Sequence, residues 1–147
     1  MSEGNHVVCP HCDSVNRIPS QKNAAEATCG RCRQKLFDGH PAEVSDASLM
    51  KQIERSDIPV VVDFWAEWCS PCRTMAPNYA TAAAELEPKI RFLKVDVDRH
   101  KQSAAKFGVQ GIPALYVFRR GEIVASQAGS MAAGALKTWI VEATRAQ

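Results

Sequence analysis

The chain has 147 residues, 46% of them apolar and 23% charged, with 18 basic against 16 acidic side chains for a formal charge of +2. This composition suits a globular protein with material for one full core and a small satellite, and it excludes disordered and collagen-like chains. A charge so near zero gives no electrostatic basis for nucleic acid or an anionic membrane as a partner.

No stretch approaches the roughly 18 apolar residues of a membrane span. The opening Met1-Ser-Glu-Gly-Asn-His has neither the basic nor the apolar region of an export signal, so a cytoplasmic protein is expected. Its 6 cysteines form three C-x-x-C pairs, Cys9/Cys12, Cys29/Cys32 and Cys69/Cys72. In such a compartment these pairs hold metal or carry redox chemistry more often than they form a disulfide framework.

Residues 1–40 hold the first two pairs and little continuous apolar sequence, so this piece needs a covalent or metal staple. Cys9-Pro-His-Cys12, a gap of sixteen residues and Cys29-Gly-Arg-Cys32 match the spacing of a four-thiolate zinc ribbon. Four sulfurs close a tetrahedron around one Zn2+, which makes the expected site structural, because the binding free energy becomes folding free energy. Local or crossed disulfides are the alternative. His6, His11 and His40 are expected to be solvated bystanders.

His40-Pro41-Ala42 is the expected junction to a second domain, residues 41–147. There Ser45 or Asp46 can cap a first helix carrying Leu49, Met50 and Ile53. A strand follows from Ile58 to Trp65, then a helix from Cys72 towards Leu86, a strand from Phe92 to Val97 and a short helix from Lys101 to Phe107. Leu115–Phe118 and Ile123–Ser126 flank Arg119-Arg-Gly-Glu122 as a hairpin, and Ser130 is the expected cap of a last helix carrying Ala135, Leu136, Trp139 and Ile140. The expected class is α/β, a mixed sheet with helices on both faces in the order β-α-β-α-β-α-β-β-α.

The third cysteine pair falls where an apolar strand ends and a helix begins. Unpaired N–H groups and the positive end of the helix dipole there stabilise an anion, which lowers the pKa of Cys69. Cys72, one turn inward, is within disulfide reach and is expected to be the more buried thiol. Pro71 suits the first turn of a helix. A third metal half-site is the alternative, but no unclaimed Cys or His pair remains to complete it. Asp63 interrupts an apolar run: it is either a strand-edge carboxylate in water or a buried one whose pKa rises towards neutrality, where it can exchange a proton with Cys72.

Val62-Asp-Phe-Trp-Ala-Glu67 before Trp68-Cys69-Ser-Pro-Cys72, then Lys94-Val-Asp-Val-Asp98 and Gly111-Ile-Pro113, resembles the thioredoxin family over essentially all of residues 41–147. With the ribbon ahead of it, the chain is similar to the zinc-containing thioredoxin 2 subclass of bacteria. The resemblance implies a thioredoxin fold and a protein-disulfide reductase, a monomer without a bound organic cofactor, recycled by an NADPH-driven, flavin-containing thioredoxin reductase.

By the same resemblance Cys69 is the nucleophile, Cys72 the resolving thiol and Asp63 the buried proton acceptor, with Lys94 its charge neighbour. The Ile112–Pro113 bond is expected to be cis, and Trp68, Ile112, Pro113 and Gly129 to form the rim that receives disulfide-containing substrate proteins. Core packing is the other reading of Trp68. Pro77 would kink the helix after the dithiol. Ser70 and Ala114 depart from the family's usual Gly and Thr, which bears on the redox potential. The rival readings make the ribbon a partner-recruiting or redox-sensing module on a thioredoxin-like scaffold.

Overall fold

Residues 4–145 are described by a computed structural model of the chain. The ribbon starts as an antiparallel hairpin, β1 (Asn5–Val8) against β2 (Val15–Ile18), with Cys9 and Cys12 in its turn. After one 3-10 turn at Ala24–Glu26, Thr28 bridges Lys35 and encloses Cys29 and Cys32. The two knuckles repeat each other. Cys9 N–H donates to Ser14 O and Asp13 N–H to Cys9 O, just as Cys29 N–H donates to Gln34 O and Arg33 N–H to Cys29 O. In each, the residue after the second cysteine takes a left-handed backbone, Asp13 at φ 67° and Arg33 at φ 70°. For a side chain such as Arg33 this conformation costs roughly 1–2 kcal/mol.

The rest of the chain builds a five-stranded sheet in the order β3-β5-β4-β6-β7: β3 (Ala42–Glu43), β4 (Val60–Trp65), β5 (Arg91–Asp96), β6 (Ala114–Arg119) and β7 (Glu122–Ala128). The first three are parallel and the last two antiparallel. The helices are α1 (Asp46–Arg55), α2 (Ser70–Leu86), α3 (Gln102–Lys106) and α4 (Ala133–Arg145), so the element order is the expected one.

Central β4 is buried on both faces, which is why it reads as an almost unbroken apolar run. Val60, Val62 and Phe64 pack with Leu49 and Ile53 of α1, while Val61 packs with Met75 and Tyr79 of α2 and Leu136 and Ile140 of α4. Each such side chain, fully buried, contributes roughly 1.5–3 kcal/mol. Arg120 (φ 52°) and Gly121 (φ 84°) form the two-residue turn between β6 and β7, both positions requiring positive φ.

Two expected starts are displaced, those of β4 and α4, and the choice of cap for α1 is decided. β4 begins at Val60 rather than Ile58, because Pro59 brings no N–H and Ile58 packs against the ribbon's apolar cluster instead. Ser45 caps α1, accepting from Ser48 N–H at 3.2 Å, whereas Asp46 serves α3: its carboxylate accepts from Gln102 N–H at 3.1 Å and from Ser103 N–H at 2.8 Å and hydroxyl at 2.6 Å. Ser130 does not cap α4, which begins at Ala133. Asn78 Nδ2 holds the Met131 carbonyl at 3.1 Å, and Ala132 O is the first helical acceptor, from Leu136 N–H at 2.8 Å.

The ribbon is docked rather than tethered. Residues four apart on α1 share a face, and there Ser48, Gln52 and Ser56 present a polar stripe. Ser48 Oγ donates to Asp13 at 2.8 Å, Gln52 Nε2 donates to Val8 O at 3.0 Å, and Ser56 Oγ accepts from Val8 N–H at 3.3 Å. At the start of β5, Arg91 is 2% exposed and donates to Leu36 O at 2.8 Å and Val8 O at 3.1 Å, with its guanidinium 4.1 Å above the Phe37 ring. Glu87 lies 3.8 Å from Arg91 and accepts from Gly39 N–H at 3.3 Å and Phe92 N–H at 3.0 Å. Burial pushes Glu87 up to about 7 against the pull of Arg91. Among the described residues no helix is long and apolar enough to cross a membrane.

Candidate active site and metal centre

β4 runs its apolar sequence to Trp65 and delivers the chain to α2 through Ala66-Glu-Trp-Cys69. Cys69 is the N-cap of α2, its Sγ accepting from Cys72 N–H at 3.2 Å, and Pro71 lies in the first turn, where a missing N–H costs nothing. Cys69 and Cys72 are disulfide-bonded, with Cα atoms 5.2 Å apart. Two residues between them place both sulfurs at the helix end, where an anion released by reduction meets free N–H groups and the helix dipole. The two residues are nearly equally closed to solvent, 3% and 2% exposed, because Ala66, Trp65, Val97 and Ile112 pack around them. Position, more than burial, separates the two: Cys69 Sγ lies 3.7 Å from the Ile112 carbonyl oxygen.

The Ile112–Pro113 bond is cis, as is Glu87–Pro88, which no sequence signal pointed to. Gly129 follows directly on β7 and lies beside Pro113. Its N–H donates to Pro113 O at 2.8 Å and its φ of 99° is one that side-chain-bearing residues avoid. Trp68 is 67% exposed, so it does not pack in the core, and its indole N–H donates to Asp98 at 2.9 Å. Trp68, Cys69, Ile112, Pro113 and Gly129 thus stand at one end of the sheet. Ser70 is exposed at the start of α2, and Pro77 lies inside that helix.

Asp63 is 1% exposed, which settles the choice between strand edge and core. By strand alternation it shares the face of Val61, under α2, and among the described residues its Oδ1 has no hydrogen-bond partner. Burial raises its pKa to about 7, with Lys94 pulling down and Glu43 pushing up. Lys94 is its register neighbour on β5, with Nζ 4.4 Å from the centre of the Trp65 ring. Beside it Tyr79 ties the two strands together, its hydroxyl within hydrogen-bond reach of Leu93 O at 2.7 Å and Val61 O at 3.1 Å.

The second constellation is in the ribbon. One sulfur from each of Cys9, Cys12, Cys29 and Cys32 lies within 4.8 Å of all the others, with Cys9–Cys32 and Cys12–Cys29 separations of 3.6 Å. A tetrahedral ion with metal–sulfur bonds of about 2.3 Å needs sulfurs roughly 3.8 Å apart, so the cluster fits a zinc-type ion. The backbone supports anionic sulfur: His11 N–H donates to Cys9 and Arg31 N–H to Cys29, each at 3.3 Å. At Cys29 burial is outweighed by hydrogen bonds from Ser14, Asn16 and the amides of Cys32 and Arg31, which bring its pKa down to about 5. His6, His11 and His40 are outside the cluster.

Sequence reasoning missed Ser14 and Asn16, polar neighbours of the metal cysteines with no spacing signature, and Asp98, which holds Trp68. Arg91 and Glu87 were also missed. The signal for them was a charged pair at helical spacing where an apolar strand begins.

Two family models match the chain: Thioredoxin over residues 40–142, and Thioredoxin 2, N-terminal over residues 8–34. It is similar to Thioredoxin C-3 of Corynebacterium nephridii, at 36% identity over 134 residues, 91% of this chain and 92% of that one. It is similar also to a thioredoxin of Rhodospirillum rubrum, at 40% identity over 98 residues, 67% of this chain and 94% of the relative. Among solved structures, a mutant thioredoxin from Halobacterium salinarum NRC-1 superposes with a TM-score of 0.66 at 31% identity, covering 76% of this chain and 96% of its own. A disulfide-forming pair at the head of α2, a thioredoxin sheet and a four-cysteine ribbon all carry the same assignment: the chain belongs to the thioredoxin family of thiol-disulfide oxidoreductases, in the form that has an N-terminal zinc-ribbon domain.

Proposed function

We propose that the protein is a protein-disulfide reductase working through the Trp68-Cys-Ser-Pro-Cys72 dithiol and recycled by an NADPH-driven, flavin-containing thioredoxin reductase. The carrying observation is the placement of a disulfide-bonded pair at the N-cap of α2, with Cys69 beside the Ile112 carbonyl. In the reduced protein the Cys69 thiolate attacks a substrate disulfide: one new S–S bond forms to Cys69, and the first substrate sulfur leaves as a thiolate that takes up a proton. Cys72 then gives its proton to Asp63 and attacks Cys69 sulfur. The Cys69–Cys72 bond forms as the Cys69–substrate bond breaks, the second substrate sulfur leaves as a thiolate that takes up a proton, and two electrons have passed from the dithiol to the substrate.

The exposed face of Trp68, with Ile112, Pro113 and Gly129, receives an extended segment of the substrate protein, whose backbone pairs with Ile112. Lys94 is the charge neighbour of Asp63. The ribbon, residues 1–40, is read as a structural domain with one Zn2+ held by Cys9, Cys12, Cys29 and Cys32, ahead of a thioredoxin domain at 41–147. When bound, the ion supplies a closed cross-link and takes no part in exchange. The four unpaired ribbon cysteines fit a reducing compartment, the cytoplasm.

Reduction of insulin disulfides with a chemical reductant and with purified reductase tests this reading. Cys69→Ser is expected to abolish turnover and Cys72→Ser to trap a substrate as a mixed disulfide. Full activity in Cys69→Ser would refute the assignment.

A further inference from the structure

Glu43 ends β3, the short strand at the sheet margin. It is the register partner of Lys94, which is in turn the register partner of Asp63. Parallel partners in register point to one face, so two carboxylates flank one ammonium across three strands, with the outer backbones about 10 Å apart. The pair is unequal, since Asp63 is sealed in the core and Glu43 is exposed. An ammonium that turns towards Glu43 keeps its water, whereas one that turns towards Asp63 gives it up. Lys94 stands between them, over the Trp65 ring. The charged groups facing Asp63 are Lys94 and Glu43, with the Tyr79 phenol alongside; those facing Glu43 are Lys94, Asp96, Arg99 and His100.

Building on the reading of Asp63 as proton acceptor, we propose that Glu43 is a positioning residue for the dithiol: it draws the Lys94 ammonium towards the sheet margin and leaves Asp63 without a close countercharge. Its effect on the exchange runs through Lys94. A neutral residue at 43 releases the ammonium towards the core, where it favours the ionised form of Asp63.

The test is a 13C titration of the Asp63 side-chain carboxyl in the reduced, zinc-loaded, full-length protein. That resonance reports Asp63 alone, so the histidines do not obscure it. Glu43→Gln is expected to move its midpoint to lower pH, lowering proton affinity roughly two- to tenfold, the size of effect expected when one ammonium moves a few ångströms nearer the carboxyl. In a Lys94→Met background the same substitution is expected to move it by less than half as much. A midpoint that Glu43→Gln leaves in place, or moves by half as much or more in the Lys94→Met background, overturns the proposal. The pH profile of mixed-disulfide resolution in Asp63→Asn judges the acceptor role separately. If that profile matches wild type, the acceptor reading falls, while the carboxyl titration still decides for or against Glu43.

Discussion

Arg91, at the first position of β5, donates from Nη2 to the carbonyl oxygen of Val8, the last residue of β1, at 3.1 Å. A buried guanidinium therefore holds the ribbon to the sheet, with Glu87 as its countercharge.

Arg91→Met is expected to cost roughly 3–5 kcal/mol, the usual penalty for leaving one member of a buried ion pair alone, and Glu87→Gln in the same chain should recover part of it. Urea unfolding of the single and double variants measures this. A loss below about 1 kcal/mol would show that the pair does not hold the two parts together.

Metal removal should act on the same boundary. The full-length protein is expected to carry one zinc per chain by elemental analysis. Stripping it with a chelator should lower the unfolding midpoint of the whole chain, because the ribbon that satisfies Arg91 and Gln52 loses its cross-link. An unchanged midpoint after complete zinc loss would contradict the structural role.

For Asp63 the sign of the pH effect follows from burial. A carboxyl whose folded pKa is raised from 3.8 to about 7 contributes its full stability below about pH 4, and that contribution is lost as pH rises through 7. Asp63→Asn removes the penalty and is expected to stabilise the protein above neutral pH by roughly 4 kcal/mol, with little gain at pH 4. It should also slow the resolution of mixed disulfides. Denaturation at the two pH values, together with stopped-flow resolution rates, checks both expectations.

Trp68 is exposed, and its indole N–H is held by Asp98. Trp68→Ala is therefore expected to change stability by less than about 0.5 kcal/mol, while raising KM for a protein disulfide several-fold with little change in kcat. A large loss of stability with an unchanged KM would point to packing instead of substrate contact.

The sheet was legible because its strands are apolar runs separated by helical patterns, and the two chemical sites because cysteine spacing is a strong constraint on geometry. What could not be read was anything set by long-range docking. The Ser48-Gln52-Ser56 stripe looks like an ordinary solvated face until the ribbon is laid on it. Arg91 looks like a strand-end charge, yet it is among the largest fully buried side chains. Ser130 has the chemistry of a cap, but α4 starts only at Ala133, and the Met131 carbonyl before it is held by Asn78. Asp63 was the intermediate case: only the sheet order, with β4 at its centre, decides that its carboxyl is buried.

The Asp46 clasp bears on the order in which the chain acquires its structure. α3 is five residues long and has no side-chain cap of its own; its first N–H groups are held by a carboxylate more than fifty positions upstream. Too short to nucleate alone, that segment has to wait until α1 has been brought alongside it by assembly of the strands between. Pulse-labelled amide exchange during refolding should find residues 102–106 among the last to become protected, and Asp46→Ala should leave them exchanging freely in an otherwise native protein.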